Sequence, residues 1–245
     1  MHNIICKNCN KEFQNSKKHQ QFCSKGCATS YRQKAHDLNF MEAENEFKYY
    51  MLGLIYADGC ISKQQNKLER LTLELKDKEF IENIKPLISP HRKLYITRGK
   101  KETHSDTYKI ICTNVEALNE LKRLGVMSRK SKIIQMPLLT DKQFRHFVRG
   151  FFDGDGSIFL NHVNNHTYKH LSFTIASKEF ALELQYKLKQ LGFSFTLVND
   201  SRETSCAIYV KLYKQKEITK FAEWMYKDSE WYIQRKYDRF YDDIV

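Results

Sequence analysis

Residues 51–62 read MLGLIYADGCIS and residues 147–160 read FVRGFFDGDGSIFL. Both stretches are apolar, both carry an early glycine, and both close on a small residue, an aspartate and a glycine. The final aspartates, Asp58 and Asp155, stand 97 residues apart. Gly53 and Ala57 are four apart in the first copy, as are Gly150 and Gly154 in the second. On a helix such positions share a face, so each copy predicts a helix with a stripe free of bulk. Two such stripes allow close approach of two backbones, and parallel packing then brings the C-terminal ends, Asp58 and Asp155, together. Paired carboxylates repel by ~4 kcal/mol at about 4 Å and an effective dielectric near 20. A helix C-terminus also disfavours an anion. Bound divalent cations offset both penalties. Mg2+ held between carboxylates and a phosphate is the chemistry of phosphodiester hydrolysis.

The duplication extends further. Residues 71–80, LTLELKDKEF, return as LSFTIASKEF at 171–180, and the RK pair at 129–130 returns at 235–236. Matches in the same order argue for a repeated unit. The longer stretch HVNNHTYKH of the second copy, with His162 and His166, reads as a polar hairpin loop. Each copy opens with a helix (about 45–58; 141–155) and a strand beginning GCIS or GSIF. A second strand alternates, with Leu71, Leu73 and Leu75 facing in and Arg70, Thr72, Glu74 and Lys76 facing out. In the second copy Leu171, Phe173 and Ile175 face in, and His170, Ser172 and Thr174 face out. Asp77 and Ser177 stand where N-caps belong. Two more strands and a last helix follow. The fold class is α+β, in two pseudo-symmetric α-β-β-α-β-β-α halves behind a small metal-binding module. The domains are residues 1–36 (the module), 37–44 (a linker), 45–139 (first repeat) and 140–245 (second repeat).

The paired phrases resemble the signature of LAGLIDADG homing endonucleases, and the two halves resemble that family's single-chain, two-motif form. The resemblance covers about residues 45–245. It implies that the motif helices form the interface between halves. It further implies that Asp58 and Asp155 bind catalytic Mg2+ (or Mn2+) with the carbonyls of Ala57 and Gly154, and that two saddle-shaped sheets straddle double-stranded DNA. A basic residue near each site falls on Lys130, with Lys132 as its competitor, and on Lys236. Candidate DNA contacts are Ser62, Arg70, Thr72, Lys76, Lys93, Arg98 and Lys109 in the first half, and His170, Ser172, Thr174 and Lys211 in the second. Tyr56 stands where the signature has an acid. Arg149 replaces a small residue and is expected to point away from the interface.

The first thirty-six residues are of another kind. Cys6, Cys9, Cys23 and Cys27 form a C-x2-C-x13-C-x3-C pattern that suits one tetrahedral Zn2+. The polar segment between the pairs cannot build a core, so the metal would supply the missing stability. FCSKGC leading into ATSYRQKAH looks like a knuckle entering a helix, as in treble-clef-like zinc fingers. His19 is a substitute ligand that four cysteines make unnecessary. Seven Lys/Arg against the single acid Glu12 make the module an accessory DNA contact or, alternatively, a protein-binding finger. Cys60, Cys112 and Cys206 read as small core residues beside strands.

A net charge of +12 over 245 residues calls for a polyanionic partner. A hydrophobic content of 41% excludes general disorder, and no run approaches the ~20 apolar residues of a membrane span. The N-terminus lacks the apolar region of a signal peptide. An intracellular, monomeric protein is expected. The function these features imply is metal-dependent, site-specific cleavage of double-stranded DNA at a long asymmetric site. The alternatives are an RNA maturase assisting splicing of a group I intron, and a DNA-binding regulator without catalysis. The latter class tends to lose the acids, and this chain keeps both.

Overall fold

The computed structural model describes residues 3–14, 19–63, 68–99, 105–128, 133–164, 166–202 and 206–241, the side chains of 32–36, 162 and 163 excepted. A short hairpin of β1 (Asn3–Ile5) and β2 (Glu12–Gln14) precedes α1 (Lys25–His36). The first half then runs α2 (Glu46–Asp58), β3 (Gly59–Ser62), β4 (Arg70–Leu75), α3 (Lys78–Ile88), β5 (Tyr95–Thr97), β6 (Thr107–Cys112) and α4 (Val115–Arg123). The second half repeats it with α5 (Asp141–Asp155), β7 (Gly156–Val163), β8 (His166–Ile175), α6 (Lys178–Gln190), β9 (Thr196–Asn199), β10 (Ile208–Leu212) and α7 (Gln215–Tyr226). It ends on an additional helix, α8 (Gln234–Tyr241). The two four-stranded antiparallel sheets have the same order, β3-β4-β6-β5 and β7-β8-β10-β9.

Local chemistry starts the two central helices where the pattern requires. The Asn45 side chain accepts from the Lys48 amide at 3.0 Å at the head of α2. Thr140 and Gln143 form a reciprocal capping box at the head of α5. In α2 every residue from Phe47 to Tyr56 is buried, as expected of a helix surrounded by protein on all sides. The outer helices are amphipathic instead. Phe80, Ile81, Ile84 and Ile88 of α3, and Phe180, Ala181, Leu184 and Leu188 of α6, cover one face of each sheet. Strand alternation holds: Leu71, Leu73 and Leu75 are at most 6% exposed, and Leu171, Phe173 and Ile175 at most 4%.

Several expectations require correction. Residues 37–44 pack as part of the first half rather than as a loose linker. Asp37 is buried and accepts from the Arg92 guanidinium at 2.6 and 2.8 Å and from the Thr113 amide at 2.6 Å, while Phe40 and Met41 enter the core. Arg149 does not point away from the first half: it is fully buried, donates to the carbonyls of Trp231 (2.8 Å) and Met225 (2.7 Å), and pairs with Glu46 of α2. A guanidinium can be buried there because carbonyl and carboxylate acceptors meet its donors. Cys112 is in the core, but Cys60 and Cys206 are exposed; strand alternation turns Cys60, opposite Thr72, to the polar face. The stretch HVNNHTYKH is mostly strand, since β7 runs to Val163 and β8 resumes at His166. Asp77 precedes α3 without a side-chain cap hydrogen bond, whereas the Ser177 hydroxyl accepts from the Phe180 amide at 3.4 Å.

Candidate metal centre and nucleic-acid interface

The helices α2 and α5 meet backbone to backbone. A Cβ placed on Gly53 would lie 1.9 Å from the Phe147 carbonyl oxygen, and one on Gly150 would lie 1.9 Å from that of Tyr50. Nearer the C-terminal ends, a Cβ on Gly154 would lie 2.3 Å from the Ala57 Cβ and 2.9 Å from a carboxylate oxygen of Asp58. The stripe of small residues therefore brings the carboxylate of Asp58 across the interface onto the last turn of α5, which ends at Asp155. Asp58 is exposed and Asp155 half-buried. Each helix passes directly into a strand, β3 or β7, so both aspartates sit where the helix ends meet the sheets.

A third group reaches this end from α8. Lys236 is half-buried, and its ammonium donates to the Gly156 carbonyl, one residue beyond Asp155, and lies 5.6 Å from the centre of the Phe152 ring. Burial pushes its pKa down, and the neighbouring Arg235 adds to that; Asp153, Asp58 and Asp77 oppose it. Lys236 thus shares an electrostatic environment with Asp58. Lys130 and Lys132 lie outside the described residues.

Two residues fix the surroundings, and sequence reasoning passed over the first of them, Asp153. Asp153, 1% exposed, accepts from the Tyr50 hydroxyl at 2.7 Å, the Tyr226 hydroxyl at 3.3 Å and the Ile233 amide at 2.7 Å. Burial pushes its carboxyl up to about 7, against the Tyr50 hydroxyl and Ile233 amide that favour the anion. Its counterpart at the 97-residue offset is Tyr56, whose hydroxyl donates to the Leu124 carbonyl at 2.6 Å. Each thus ties its motif helix to the chain leaving the last repeat helix, α4 or α7. The available signal was an acid directly after the apolar pair Phe151–Phe152 of the repeated phrase, which needs buried partners.

The polar faces of the sheets follow from the register. Opposite pairs on the first sheet are Ser62–Arg70, Cys60–Thr72 and Glu74–Lys109. Lys109 lies 2.8 Å from the Glu74 carboxylate, and Arg98 pairs with Asp106, so both predicted DNA contacts carry an internal counter-ion. Arg70 and Thr72 are half-buried, and Lys76 and Lys93 are exposed. On the second sheet Thr174 is exposed and His170 half-buried, its ring 4.9 Å from that of Tyr213. Ser172 departs from expectation. It faces the polar side opposite Lys211 but is 2% exposed, its hydroxyl without a partner. It lines a cavity of about 530 Å3 with Phe159, His170, Tyr209 and Lys211. Alternation alone could not foresee that long neighbouring side chains would cover a serine. Phe159 (57% exposed) and Tyr95 (49%) add aromatic surface to the outward faces, which period-2 alternation would have revealed had it been carried into those strands.

The four N-terminal cysteines converge. One sulfur from each of Cys6, Cys9, Cys23 and Cys27 lies within 4.8 Å of the others. The Cys9–Cys23 and Cys23–Cys27 separations are 3.7 and 3.4 Å. Tetrahedral Zn2+ with Zn–S bonds near 2.3 Å places sulfurs about 3.8 Å apart. The hairpin presents Cys6 and Cys9, and the Cys23 amide donates to the Cys6 sulfur at 3.4 Å. Cys27 sits in the first turn of α1, where its amide donates to the Ser24 hydroxyl at 3.0 Å. Burial raises the Cys6 thiol, but the amides of Cys23, Cys9 and Asn8 outweigh it and bring it to about 6. The Cys23 thiol donates to the Cys27 sulfur, and this bond, with those to Cys6 and Cys9, pushes Cys23 up to about 12. Four thiolates at these distances would repel one another, and a divalent ion would relieve that repulsion. Among the described residues, no other three or more His, Cys, Asp or Glu side chains converge in this way.

A protein-family model described as the LAGLIDADG-like domain matches residues 142–225, and one described as the WhiA LAGLIDADG-like domain matches residues 22–132. The chain is 25% identical over 150 residues to an uncharacterized protein of Methanocaldococcus jannaschii, covering 60% of this chain and 55% of that one. It is 24% identical over 159 residues to a probable cell division protein WhiA of Clostridium novyi, covering 62% of this chain and 46% of that one. It thus spans about half the length of the curated relatives it matches. The homing endonuclease I-WcaI, solved bound to its DNA recognition sequence, superimposes with a TM-score of 0.58 at 16% identity over 88% of this chain and 93% of that one. The meganuclease I-AabMI, solved bound to uncleaved DNA, gives 0.55 at 13% identity over 81% and 88%. With a LAGLIDADG-like match in each half and likeness to these structures over 81% and 88% of its length, the chain has the LAGLIDADG fold.

Proposed function

We propose that this chain binds double-stranded DNA on the polar faces of its two sheets and hydrolyses phosphodiester bonds at the Asp58–Asp155 end. The observation that carries the catalytic part is the carboxylate of Asp58 lying over Gly154 at the end of α5, beside Asp155. All-oxygen donors of this kind suit Mg2+, which keeps several waters and shares phosphate oxygens, so two protein carboxylates suffice. Asp58 and Asp155, with the carbonyls of Ala57 and Gly154, are the residues that would hold it. Bound there, it would polarise the scissile phosphate and lower the pKa of the attacking water. The chain's own part is positional: the interface fixes the separation of the carboxylates, and the Lys236 ammonium offers a positive group to the charge developing on phosphate. The net charge of +12 supplies the sequence-independent attraction to the duplex. One zinc ion in the cysteine module would hold the basic N-terminus folded.

A second reading keeps DNA binding and drops cleavage. The sequence matches favour it over the first, since the family model over residues 22–132 and the clostridial relatives bear the name of a cell division protein. On that reading the two aspartates hold no catalytic metal. The test is selection of bound and of cleaved sites from a genomic DNA library with Mg2+, using the wild type, Asp58→Asn and Asp155→Asn. Cleavage by the wild type alone, with all three binding the same site, supports the nuclease. Site-specific binding without cleavage by any of them supports the regulator. Absence of site-specific binding rejects both.

A further inference from the structure

The described residues that follow α4 and α7 are each pinned on the opposite half. The segment following α4 flanks residues 129–132 and leaves the first half to dock on α6 of the second. There the Ile134 carbonyl accepts from the Ser177 hydroxyl at 2.7 Å and the Met136 amide donates to Glu183 at 2.9 Å. The segment following α7 does the reverse. The amides of Glu230 and Trp231 donate to Glu46 at 3.0 and 3.3 Å, and Arg235 grips Asp77 with two hydrogen bonds of 2.6 and 2.9 Å. Asp77 and Ser177 are equivalent positions in the repeated stretch KDKEF and ASKEF. Ser177 still caps its own helix, but Asp77 makes no cap bond and gives both oxygens to Arg235. Its side chain is 12% exposed. A carboxylate that leaves the amides of its own helix for a bidentate partner across the molecule is serving that partner, because a planar Arg–carboxylate fork fixes orientation as well as distance.

We propose that Asp77 is a positioning residue acting from the first half on the second. Through Arg235 it holds the start of α8, so that the next residue, Lys236, reaches the Gly156 carbonyl at the Asp155 end. Asp153 supplies the other anchor from within the second half, through the Ile233 amide. Ser177 occupies the matching place for the first half's segment. The second half therefore completes the surroundings of Lys236 only when the first half is docked. The inference rests on the reading of Lys236 as part of the Asp58–Asp155 site.

Hydrogen exchange on the intact chain tests it without requiring activity. Asp77→Ala and Arg235→Ala should each speed amide exchange across 233–241 by about tenfold, with α2 and α5 unchanged, because a local anchor is lost rather than the fold. The exchanged pair Asp77→Arg with Arg235→Asp should restore protection, as a double-mutant cycle requires. Where the wild type cleaves DNA, the single variants should lower kcat at constant KM and the exchanged pair should recover it. Unchanged exchange in both single variants, or an exchanged pair no better than either, overturns the proposal. A chain that shows the exchange pattern but never cleaves DNA retains the anchor and rejects the nuclease reading instead.

Discussion

Gly53 and Gly150 face each other's helices through the same gap: a Cβ on either would stand 1.9 Å from a carbonyl oxygen of the opposite backbone, Phe147 or Tyr50. The 97-residue offset that relates Asp58 to Asp155 also relates both glycines and both carbonyls. Backbones this close gain dispersion and Cα–H···O contact, and no side chain larger than hydrogen fits between them. Since the obstacle is backbone rather than a flexible side chain, Gly150→Ala should force the helices apart. The expected loss is roughly 1–3 kcal/mol despite alanine's better helix propensity, read by chemical denaturation. Any cleavage should fall further than stability, because the aspartates move apart with the helices. Unaltered stability would mean that the helices are not in contact at Gly150.

The cysteine module should bind one zinc ion per chain, measured by elemental analysis of the purified protein. Cys9→Ser should abolish binding and unfold the N-terminal hairpin, leaving the helix–sheet halves intact by circular dichroism. Losing the module should also flatten the salt dependence of DNA binding, since each phosphate contact contributes about 0.9 to the log–log slope. Protein free of zinc when purified and unable to take it up would defeat this expectation.

Leu73 and Arg70 separate packing from recognition on a single strand. Leu73 is 1% exposed and Arg70 half-buried on the opposite face. Leu73→Ala should cost ~2–5 kcal/mol through a core cavity, with site preference unchanged in the folded fraction. Arg70→Ala should leave the melting temperature nearly unchanged and relax preference at a few adjacent base pairs by ~1–3 kcal/mol. The two halves have different polar faces, so the preferred site should be asymmetric. A palindromic optimum would contradict the assignment of the faces.

Glu217 carries a pH-dependent share of stability. Burial alone would raise its carboxyl, but the Ser194 amide and hydroxyl, at 2.6 and 2.7 Å, and the Lys214 ammonium, at 2.9 Å, outweigh it and hold it at about 2. A folded-state value below the unfolded one means that the stabilisation is complete above about pH 4.5 and is lost as pH falls toward 2. It amounts to at most about 3 kcal/mol. Glu217→Gln should lower stability at pH 7 and narrow the difference from wild type at pH 2–3. A difference independent of pH would show that the shift is absent.

How much could be foreseen depends on the range of the interaction. The duplicated phrases, the four-residue spacing of small residues and the strict alternation at 70–76 and 170–175 are local patterns. They determined the central helix pair, the placing of Asp58 and Asp155 at its ends and the buried faces of both sheets. The cysteine spacing likewise announced a convergent cluster. Contacts between residues far apart in the chain carry no such period. The burial of Arg149 against Glu46, the clamp of Asp153 on Ile233 and the grip of Asp77 on Arg235 join residues 103, 80 and 158 positions apart. The additional helix that delivers Lys236 has no counterpart among the described residues of the first half. A polar side chain inside a helix or at its cap can satisfy itself locally, in water, or across the molecule, and the sequence is compatible with all three. Only the packing of the two halves decided that Ser172 is covered, that Asp77 leaves its own helix uncapped, and that the basic group of the second half is held in place from the first.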